Sequence, residues 1–424
     1  MRNVIKDRPI RVGVMGAFRG RTFIDNASET GMELAVICDN FKYRLDSVCA
    51  ELNVPGCEDF DEMLKMDIDA VIIAGPFHQH AQFAKRALKA GKHVMSETSC
   101  NSTLADGVEL YMLAKESGLC YMLAENYCYT RFNLEMKRLY DAGEIGEVRY
   151  AEGEYNHPMS DEDSMWYAPG AKHWRNWLPA CYYDTHALAP MMYITGRHPK
   201  AVSCVTLNNP SGDFLSESKS CYVMLIKMDN GSVFRIYGGG LPGHSNWYGF
   251  HGSCGAMESV RGHGYFGPEQ VRVWHEPWAL KPGQVTEKTY FPEWPEDGAR
   301  AEEAGHGGSD FFVEKAFADA IRSGEQPYLD AYRGITMSNV GIIAWRSALK
   351  GGEWMDIPDL NDEKARAEML KDRLTPFPNV EGAVMMPPEM CCKVDFTPDV
   401  VKISREQWKK QGYTDEQIED LLNE

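Results

Sequence analysis

The sequence predicts an α/β chain in which a doubly wound parallel sheet comes first and an α+β region with an antiparallel sheet follows. From residue 11 to about 125, short apolar strands alternate with amphipathic helices, which is the pattern of a parallel sheet covered on both faces. From residue 147 onward, alternating apolar and polar segments are joined by turns such as Asp-Asn-Gly at 229–231, which is typical of antiparallel hairpins. We expect domains over 1–128 and 129–358, with a C-terminal extension over 359–424 that packs on them.

The first strand and its turn predict a dinucleotide site. An apolar strand begins at Arg11 and runs into the glycine-rich turn GAFRG at 16–20, and then into a helix. Gly16 permits the tight turn, and Gly20 lets the helix N-terminus approach a pyrophosphate, whose charge the free backbone amides stabilise. A second apolar strand ends in Asp39, the acidic residue that ribose hydroxyls require at this distance. The N-terminal domain is therefore predicted to be a Rossmann domain.

The residues around this turn bear on the choice of cofactor. Asp39 favours NAD, because its carboxylate repels a 2′-phosphate, although Lys42 and Arg44 leave NADP as an alternative. Phe18 stands where the usual fingerprint has its middle glycine, so either the phosphate is held further out or the ring folds under the loop. We expect Phe18 and Arg19 to contact the cofactor together with the two glycines.

The remaining elements follow from apolar periodicity and end signals. A helix that keeps its alanines on one stripe ends before Gly91, and the next helix opens with a capping box at Thr103. Strands are predicted at 11–15, 34–38, 69–75, 92–96, 119–124, 148–155, 221–228 and 232–237, and helices at about 40–53, 79–90, 103–118, 131–142, 309–323, 332–349 and 404–422. Two long irregular stretches, 156–179 with Trp166 and 275–308, are expected to be binding loops or lids.

Composition excludes several classes of protein. The net charge of -18 over 424 residues argues against a nucleic-acid partner, which needs clustered basic residues. No apolar run reaches the length of a membrane span and no signal peptide is visible, so we expect a cytoplasmic protein without a membrane partner. The 12 cysteines are scattered, which favours reduced thiols, and no histidine and carboxylate cluster indicates a metal site.

Several motifs together resemble the Gfo/Idh/MocA oxidoreductases. They are GPFHQH at 75–80, ALKAGKHV at 87–94, Ser96-Glu97, and Thr195-Gly196 after a histidine-bearing helix. The resemblance implies an NAD-binding Rossmann domain, with Pro76, His80 and Glu97 at the cofactor, followed by an open-faced antiparallel sheet through which relatives commonly form homo-oligomers. The family usually reads Glu-Lys-Pro at this point, but here Thr98 follows Glu97, so the lysine of ordinary sugar dehydrogenases is absent.

One branch matches more closely. The segment YDTHALAP at 183–190 is similar to the YPTHGLGP of glycoside hydrolase family 109, a branch that also lacks the lysine. Further similar pieces are MLAEN at 122–126, AEGEYNH at 151–157, HWR at 173–175 and GHGG at 305–308. His186, ten residues before Gly196, occupies the position of the family's catalytic histidine, although Asp184 replaces the branch's proline.

This resemblance implies an unusual glycosidase. Such enzymes hold NAD tightly, oxidise C3 of a sugar, eliminate the aglycone after loss of the C2 proton, add water and restore C3. The implied proton-transfer residues are His186 and Tyr183, while Glu97 reaches the nicotinamide ribose or carboxamide. Residues expected at the strand end where hydride passes, or at the sugar hydroxyls, are Glu125, Asn126, Tyr155, His157, His173, Arg175 and His306.

Two other interpretations remain open from the sequence. The chain could be a conventional NAD-dependent sugar or cyclitol dehydrogenase, or a non-catalytic NAD-binding protein that lost the lysine. Under the last interpretation, His186 is a helix N-terminal histidine bonded to the backbone and Tyr183 is a core aromatic residue. The substrate predicted under the first two is a small carbohydrate.

Overall fold

The computed structural model describes residues 1–160, 163–164, 167–168, 173–207, 221–261, 270–295, 297–302, 304–392, 397–410 and 412–423, so the predicted loop residue Trp166 lies outside the described residues. The N-terminal part is a six-stranded parallel sheet made of β1 Ile10–Met15, β2 Met32–Cys38, β3 Gly56–Cys57, β4 Ala70–Ile73, β5 His93–Ser96 and β6 Tyr121–Leu123. Its order, β3-β2-β1-β4-β5-β6, is that of a Rossmann fold, as predicted.

Helices cover both faces of this sheet. They are α1 Arg21–Asn26, α2 Lys42–Leu52, α3 Phe60–Lys65, α4 His80–Lys89 and α5 Leu104–Ser117. The predicted cap of α5 is present, because the Thr103 hydroxyl accepts the Asp106 N–H at 3.0 Å. The central strand β4 is buried along its whole length, which explains its continuous apolar sequence.

The second sheet has nine strands in the described residues. They are β7 Tyr150–Asn156, β8 Pro199–Leu207, β9 Cys221–Met228, β10 Val233–Gly239, β11 Ser245–His251, β12 Gly255–Ser259, β13 Val271–His275, β14 Glu287–Tyr290 and β15 Met355–Asp356, in the order β14-β13-β12-β11-β7-β10-β9-β8-β15. The predicted hairpin at 229–231 joins β9 to β10. The pairs are antiparallel except β7 with β10, so the sheet is mixed at its centre.

Further helices of the described residues belong to this second region or join it to the first. They are α6 Arg131–Asp141, α7 Thr185–Thr195, α8 Gly298–Ala301, α9 Ser309–Ser323 and α10 Ala331–Leu349. The two regions share one hydrophobic core. Buried polar contacts also join them: the Cys100 N–H donates to the Ser338 hydroxyl at 2.9 Å, and the Asn101 side chain donates to Asn339 at 3.0 Å.

The C-terminal extension differs from its prediction. It contains α11 Glu363–Met369, the short pair β16 Leu374–Thr375 and β17 Val384–Met385, and two helices, α12 Pro398–Lys410 and α13 Asp415–Asn423. The single helix predicted over 404–422 is therefore wrong, because the chain turns at Gly412, whose φ of +88° ends a helix in a way that glycine tolerates best. No helix in the described part of the chain is long and apolar enough to cross a membrane.

Candidate active site

A cleft of about 580 Å³ lies at the carboxyl ends of the Rossmann strands. Its floor contains the glycine turn after β1 and Asp39 after β2, and its far wall contains residues 173–175, Tyr183 and residues 378–379. Ligands of doubly wound sheets bind at this edge, where the strand order reverses. Position alone therefore makes this cleft the candidate active site.

The glycine turn fits a dinucleotide closely. A side chain at Gly16, where φ is +98°, would place its Cβ 2.4 Å from the Ala74 carbonyl oxygen, and one at Gly20 would lie 2.2 Å from the Gly16 oxygen. Asp39 accepts the Ala17 N–H and the Phe41 N–H, both at 2.8 Å, so its carboxylate is held at the rim of the turn. This arrangement, in which only glycine fits and a carboxylate is fixed for ribose hydroxyls, is what an NAD site requires.

Phe18 does not fold under the loop. Its side chain is 46% exposed and its ring lies edge-on to Tyr167, with ring centroids 5.9 Å apart. The Arg44 guanidinium lies 5.2 Å from the same ring. The phenyl group therefore stands on the rim of the cleft, half-exposed.

Arg19 gives the cleft a partly buried positive charge. Its Nε lies 2.5 Å from Glu97 Oε1, and its Nη2 lies 3.6 Å from Asp310 Oδ1. Burial by itself would raise the pKa of Glu97, but Arg19 and the Thr98 N–H bring this pKa below its ordinary value, so the carboxylate is ionised. Arg19 Nη1 is buried without a hydrogen-bond partner, and a cofactor oxygen would satisfy it.

The loop around His306, in the second region, contacts Arg19 through Asp310. His306 Nδ1 lies 2.7 Å from Asp310 Oδ2, and the Asn126 amide donates to Asp310 Oδ1 at 2.9 Å. Burial acts to raise the pKa of Asp310, but the bond to His306 and the charge of Arg19 lower it to about 2. The predicted residues Asn126 and His306 therefore meet through Asp310, on the side where Arg19 projects from the glycine turn.

His186 is held by a carboxylate and surrounded by tyrosines. It lies in the first turn of α7, is 6% exposed, and its Nδ1 is 2.8 Å from Oε1 of the fully buried Glu125. Because a carboxylate oxygen only accepts, Nδ1 carries the hydrogen and Nε2 is the nitrogen that can take up a proton. Ring centroids of Tyr155, Tyr127 and Tyr183 lie 4.4, 4.6 and 4.9 Å from that of His186.

The two predicted catalytic residues differ in exposure to the cleft. Tyr183 lines it together with Thr98, whereas His186 lies behind Tyr183. Burial raises the pKa of Tyr183, opposed by the positive charge of Arg175, so the phenol is protonated at neutral pH. The alternative in which His186 bonds only to backbone groups is excluded by its contact with Glu125.

The other predicted residues divide into two groups. Pro76, His173 and Arg175 line the cleft, whereas Tyr155 and His157 are partly buried outside its lining, with the His157 ring centroid 4.9 Å from that of His244. Burial lowers the pKa of His173 to about 3, so its ring is neutral.

His80 lines the cleft, but both of its ring nitrogens contact backbone carbonyl groups. Its two ring nitrogens each lie 3.0 Å from a carbonyl oxygen, of Ser99 and of Gly75. We therefore expect His80 to fix the ends of β4 and β5 rather than to donate to a cofactor.

Four residues that the sequence reasoning did not assign also belong to the site. Tyr127 packs on His186, Asp310 joins Arg19 to His306, and Pro378 and Asn379 of the extension line the cleft. The four-residue spacing of His306 and Asp310 at a helix start was a usable signal. Nothing local marks the two extension residues. Across the described residues, no three histidine, cysteine or carboxylate side chains gather as a metal site.

Comparison with known proteins agrees with this geometry. Residues 10–125 match the model of the oxidoreductase family with an NAD-binding Rossmann fold, Gfo/Idh/MocA, and residues 239–366 match the glycosyl hydrolase 109 C-terminal domain. An α-N-acetylgalactosaminidase from Tannerella forsythia is 26% identical over 411 residues, covering 83% of this chain and 86% of the relative. A glycosyl hydrolase family 109 protein from Solibacter usitatus is 24% identical, and the match covers 84% of this chain and 89% of the relative.

Solved structures share the fold. A levoglucosan dehydrogenase in complex with NADH and L-sorbose superposes with a TM-score of 0.68 at 19% identity, covering 83% of this chain and all of that one. An aldose-aldose oxidoreductase from Caulobacter crescentus superposes with a TM-score of 0.65 at 20% identity, and the match covers 82% of this chain and 100% of that one. The chain thus carries an NAD-binding Rossmann domain of the Gfo/Idh/MocA type over 10–125 and a glycosyl hydrolase 109 C-terminal domain over 239–366.

Proposed function

We propose that this protein hydrolyses glycosides by transient oxidation of the sugar, with NAD that remains bound through each turnover. The observation that carries the proposal is the pairing of His186 with Glu125 behind Tyr183, in a cleft where Thr98 stands in place of the family's lysine. Without an ammonium group at 98, the imidazole held by Glu125 is the base available to the sugar carbinol.

Bound NAD supplies reversible hydride exchange with a carbinol carbon. His186 Nε2 would accept the proton of the C3 hydroxyl, and the carboxylate of Glu125 would stabilise the imidazolium that forms. The Tyr183 phenol, protonated at neutral pH, would donate its proton to the leaving oxygen, and the phenolate that this creates would accept the proton lost from C2 in the same elimination. Both residues precede or begin α7, so one rigid element sets their spacing.

The wall formed by 173–175 suits a sugar ring. Arg175 lies over the Trp174 ring, with its guanidinium carbon 4.5 Å from the ring centroid, and His173 is neutral. Phe77 also stacks on the Trp174 ring, with centroids 5.6 Å apart, so the hydrogen-bonding groups of Arg175 and His173, rather than a free indole face, would contact the sugar hydroxyls. We assign sugar contacts to Tyr155, His157, His173, Arg175 and His306, and cofactor contacts to Gly16, Arg19, Gly20, Asp39, Pro76, Glu97 and Asn126.

The test is direct. The purified protein would be incubated with a panel of aryl glycosides that includes an α-N-acetylgalactosaminide, without added NAD, and both the released aglycone and NADH would be measured. We expect aglycone release without net NADH. Release that requires added NAD in stoichiometric amount, or no release over a broad panel, would contradict the proposal.

A conventional sugar dehydrogenase is the second candidate, and one observation favours it. The structural relatives include a dehydrogenase with the same overall fold. In the same assay this activity would appear as NADH formed in proportion to the sugar consumed, with no aglycone released.

We further propose that the protein forms a homo-oligomer through its second sheet. Val205 of β8 and Leu225 of β9 are apolar residues on the surface of this sheet, and their exposed fractions are 51% and 41%. Replacing Leu225 with aspartate should shift the mass measured by light scattering toward that of one chain, and an unchanged mass would contradict this. All 12 cysteines are thiols rather than disulfides, which is consistent with a reducing compartment such as the cytoplasm.

A further inference from the structure

The C-terminal extension has a small hydrophobic cluster of its own, built on a residue of the cofactor cleft. Trp408 and Ile418 are fully buried, and the third buried member of this cluster is Phe41, which is 6% exposed. Trp408 lies in α12 and Ile418 in α13, whereas Phe41 belongs to the Rossmann domain, two residues after Asp39. The helical pair α12–α13 therefore docks on the wall beside the ribose-binding carboxylate.

Phe41 is held on several sides. Tyr413, in the turn between the two helices, stacks on the Phe41 ring, with the ring centroids 6.3 Å apart and the ring planes at 25° to each other. Tyr43 meets the ring edge-on at 5.6 Å, and the Arg44 guanidinium lies 5.1 Å from it. The Phe41 N–H also donates to Asp39 at 2.8 Å, so movement of Phe41 would disturb the carboxylate directly.

The extension reaches the cleft at a second point. Phe377 is fully buried and its ring lies 5.7 Å from Phe77 and 5.5 Å from His78, in the turn after β4. The next two residues, Pro378 and Asn379, line the cleft themselves. The extension thus supports the cleft wall both at the end of β2 and at the end of β4, one on each side of the glycine turn.

The family models do not reach these contacts. The glycosyl hydrolase 109 match ends at residue 366, before Phe377 and before both terminal helices. The contacts of Phe377, Trp408 and Tyr413 therefore lie outside the residues that the two family models match.

We propose that the C-terminal extension is a clamp that retains the dinucleotide at its adenosine end. This rests on the proposed function, in which NAD is regenerated within each turnover and does not need to be exchanged. Departure of the adenosine requires its wall to loosen, and α12–α13 opposes this by packing Trp408 and Tyr413 behind Phe41. Pro378 and Asn379 close the opposite rim.

The clamp is tested by the rate at which NAD leaves the full-length protein. The NAD-loaded wild type and the variants Trp408→Ala and Tyr413→Ala would be mixed with excess of a distinguishable NAD analogue, and released NAD would be followed with no sugar present. Lys409→Ala is the matched control, because its ion pair with Asp415 at 2.7 Å is exposed on the same two helices. Loss of one aromatic contact behind Phe41 should speed release by about tenfold in Tyr413→Ala, and by more in Trp408→Ala.

The control should release NAD at the wild-type rate, and all variants at saturating NAD should keep the wild-type kcat. Thermal unfolding of the NAD-free proteins distinguishes clamping from loss of fold, and Tyr413, which is only half-buried, gives a variant that remains folded. Equal release rates in Tyr413→Ala and Lys409→Ala would overturn the clamp, as would a chain that binds no NAD. Absence of glycosidase activity with faster release in Tyr413→Ala would overturn the proposed function alone.

Discussion

The two halves of the site are built differently. In the cofactor half, the glycine turn and Asp39 lie within one β-α-β unit, and the fixed contacts of Asp39 run to backbone amides. In the sugar half, the decisive contact joins distant side chains, because Glu125 meets His186 across 61 positions. The cofactor half is therefore specified by local sequence, whereas the sugar half depends on how the second region docks.

This difference predicts that chemistry and cofactor binding can be separated by mutation. Replacing His186 with alanine should lower kcat by about 10³-fold, because it removes the general base, while NAD stays bound. Turnover would be measured on the best aryl glycoside, and bound NAD after gel filtration. Loss of NAD in the same variant would show that mutation cannot separate catalysis from cofactor binding, and that the role of general base is wrongly assigned to His186.

Acid should weaken the junction of the halves. The pKa of Asp310 lies at about 2, below its unfolded value, so its contribution to stability is complete above about pH 4 and is lost as the pH falls toward 2. For this fully buried group the loss is about 2 kcal/mol. Urea unfolding over this range should show a smaller pH dependence in Asp310→Asn, and an equal dependence in both proteins would contradict the assigned ion pairs.

The cofactor half should respond to Asp39. Asp39→Ala removes the acceptor for two backbone N–H groups and for ribose hydroxyls, so NAD affinity should fall by about tenfold or more, with kcat at saturating NAD retained. Titration calorimetry measures the first quantity and steady-state kinetics the second. Unchanged affinity would remove the ribose assignment.

The smallest effect is expected at Phe18. Because its ring stands half-exposed on the rim, Phe18→Ala should change NAD affinity by no more than about threefold and stability by about 0.5 kcal/mol. The variant would be compared with the wild type by the same calorimetry and by urea unfolding. A large gain in affinity would show that the ring obstructs the cofactor.

These contrasts also explain what could be predicted from the sequence. The alternation of strands and helices, the glycine turn and Asp39 follow from short apolar strands and from conformations that only glycine adopts, which are local properties. His186 was found through its register with Gly196 and the resemblance to a family. The outward position of Phe18 depends on Tyr167 and Arg44, and the docking of Trp408 on Phe41 joins residues that no local pattern connects.

The central claim is that the sugar is oxidised transiently and loses its C2 proton before the aglycone leaves. Hydrolysis in deuterated water, followed by NMR of the released sugar, tests it most directly. The mechanism predicts deuterium at C2 together with aglycone release and no net NADH. Aglycone release that leaves C2 fully protonated would contradict it.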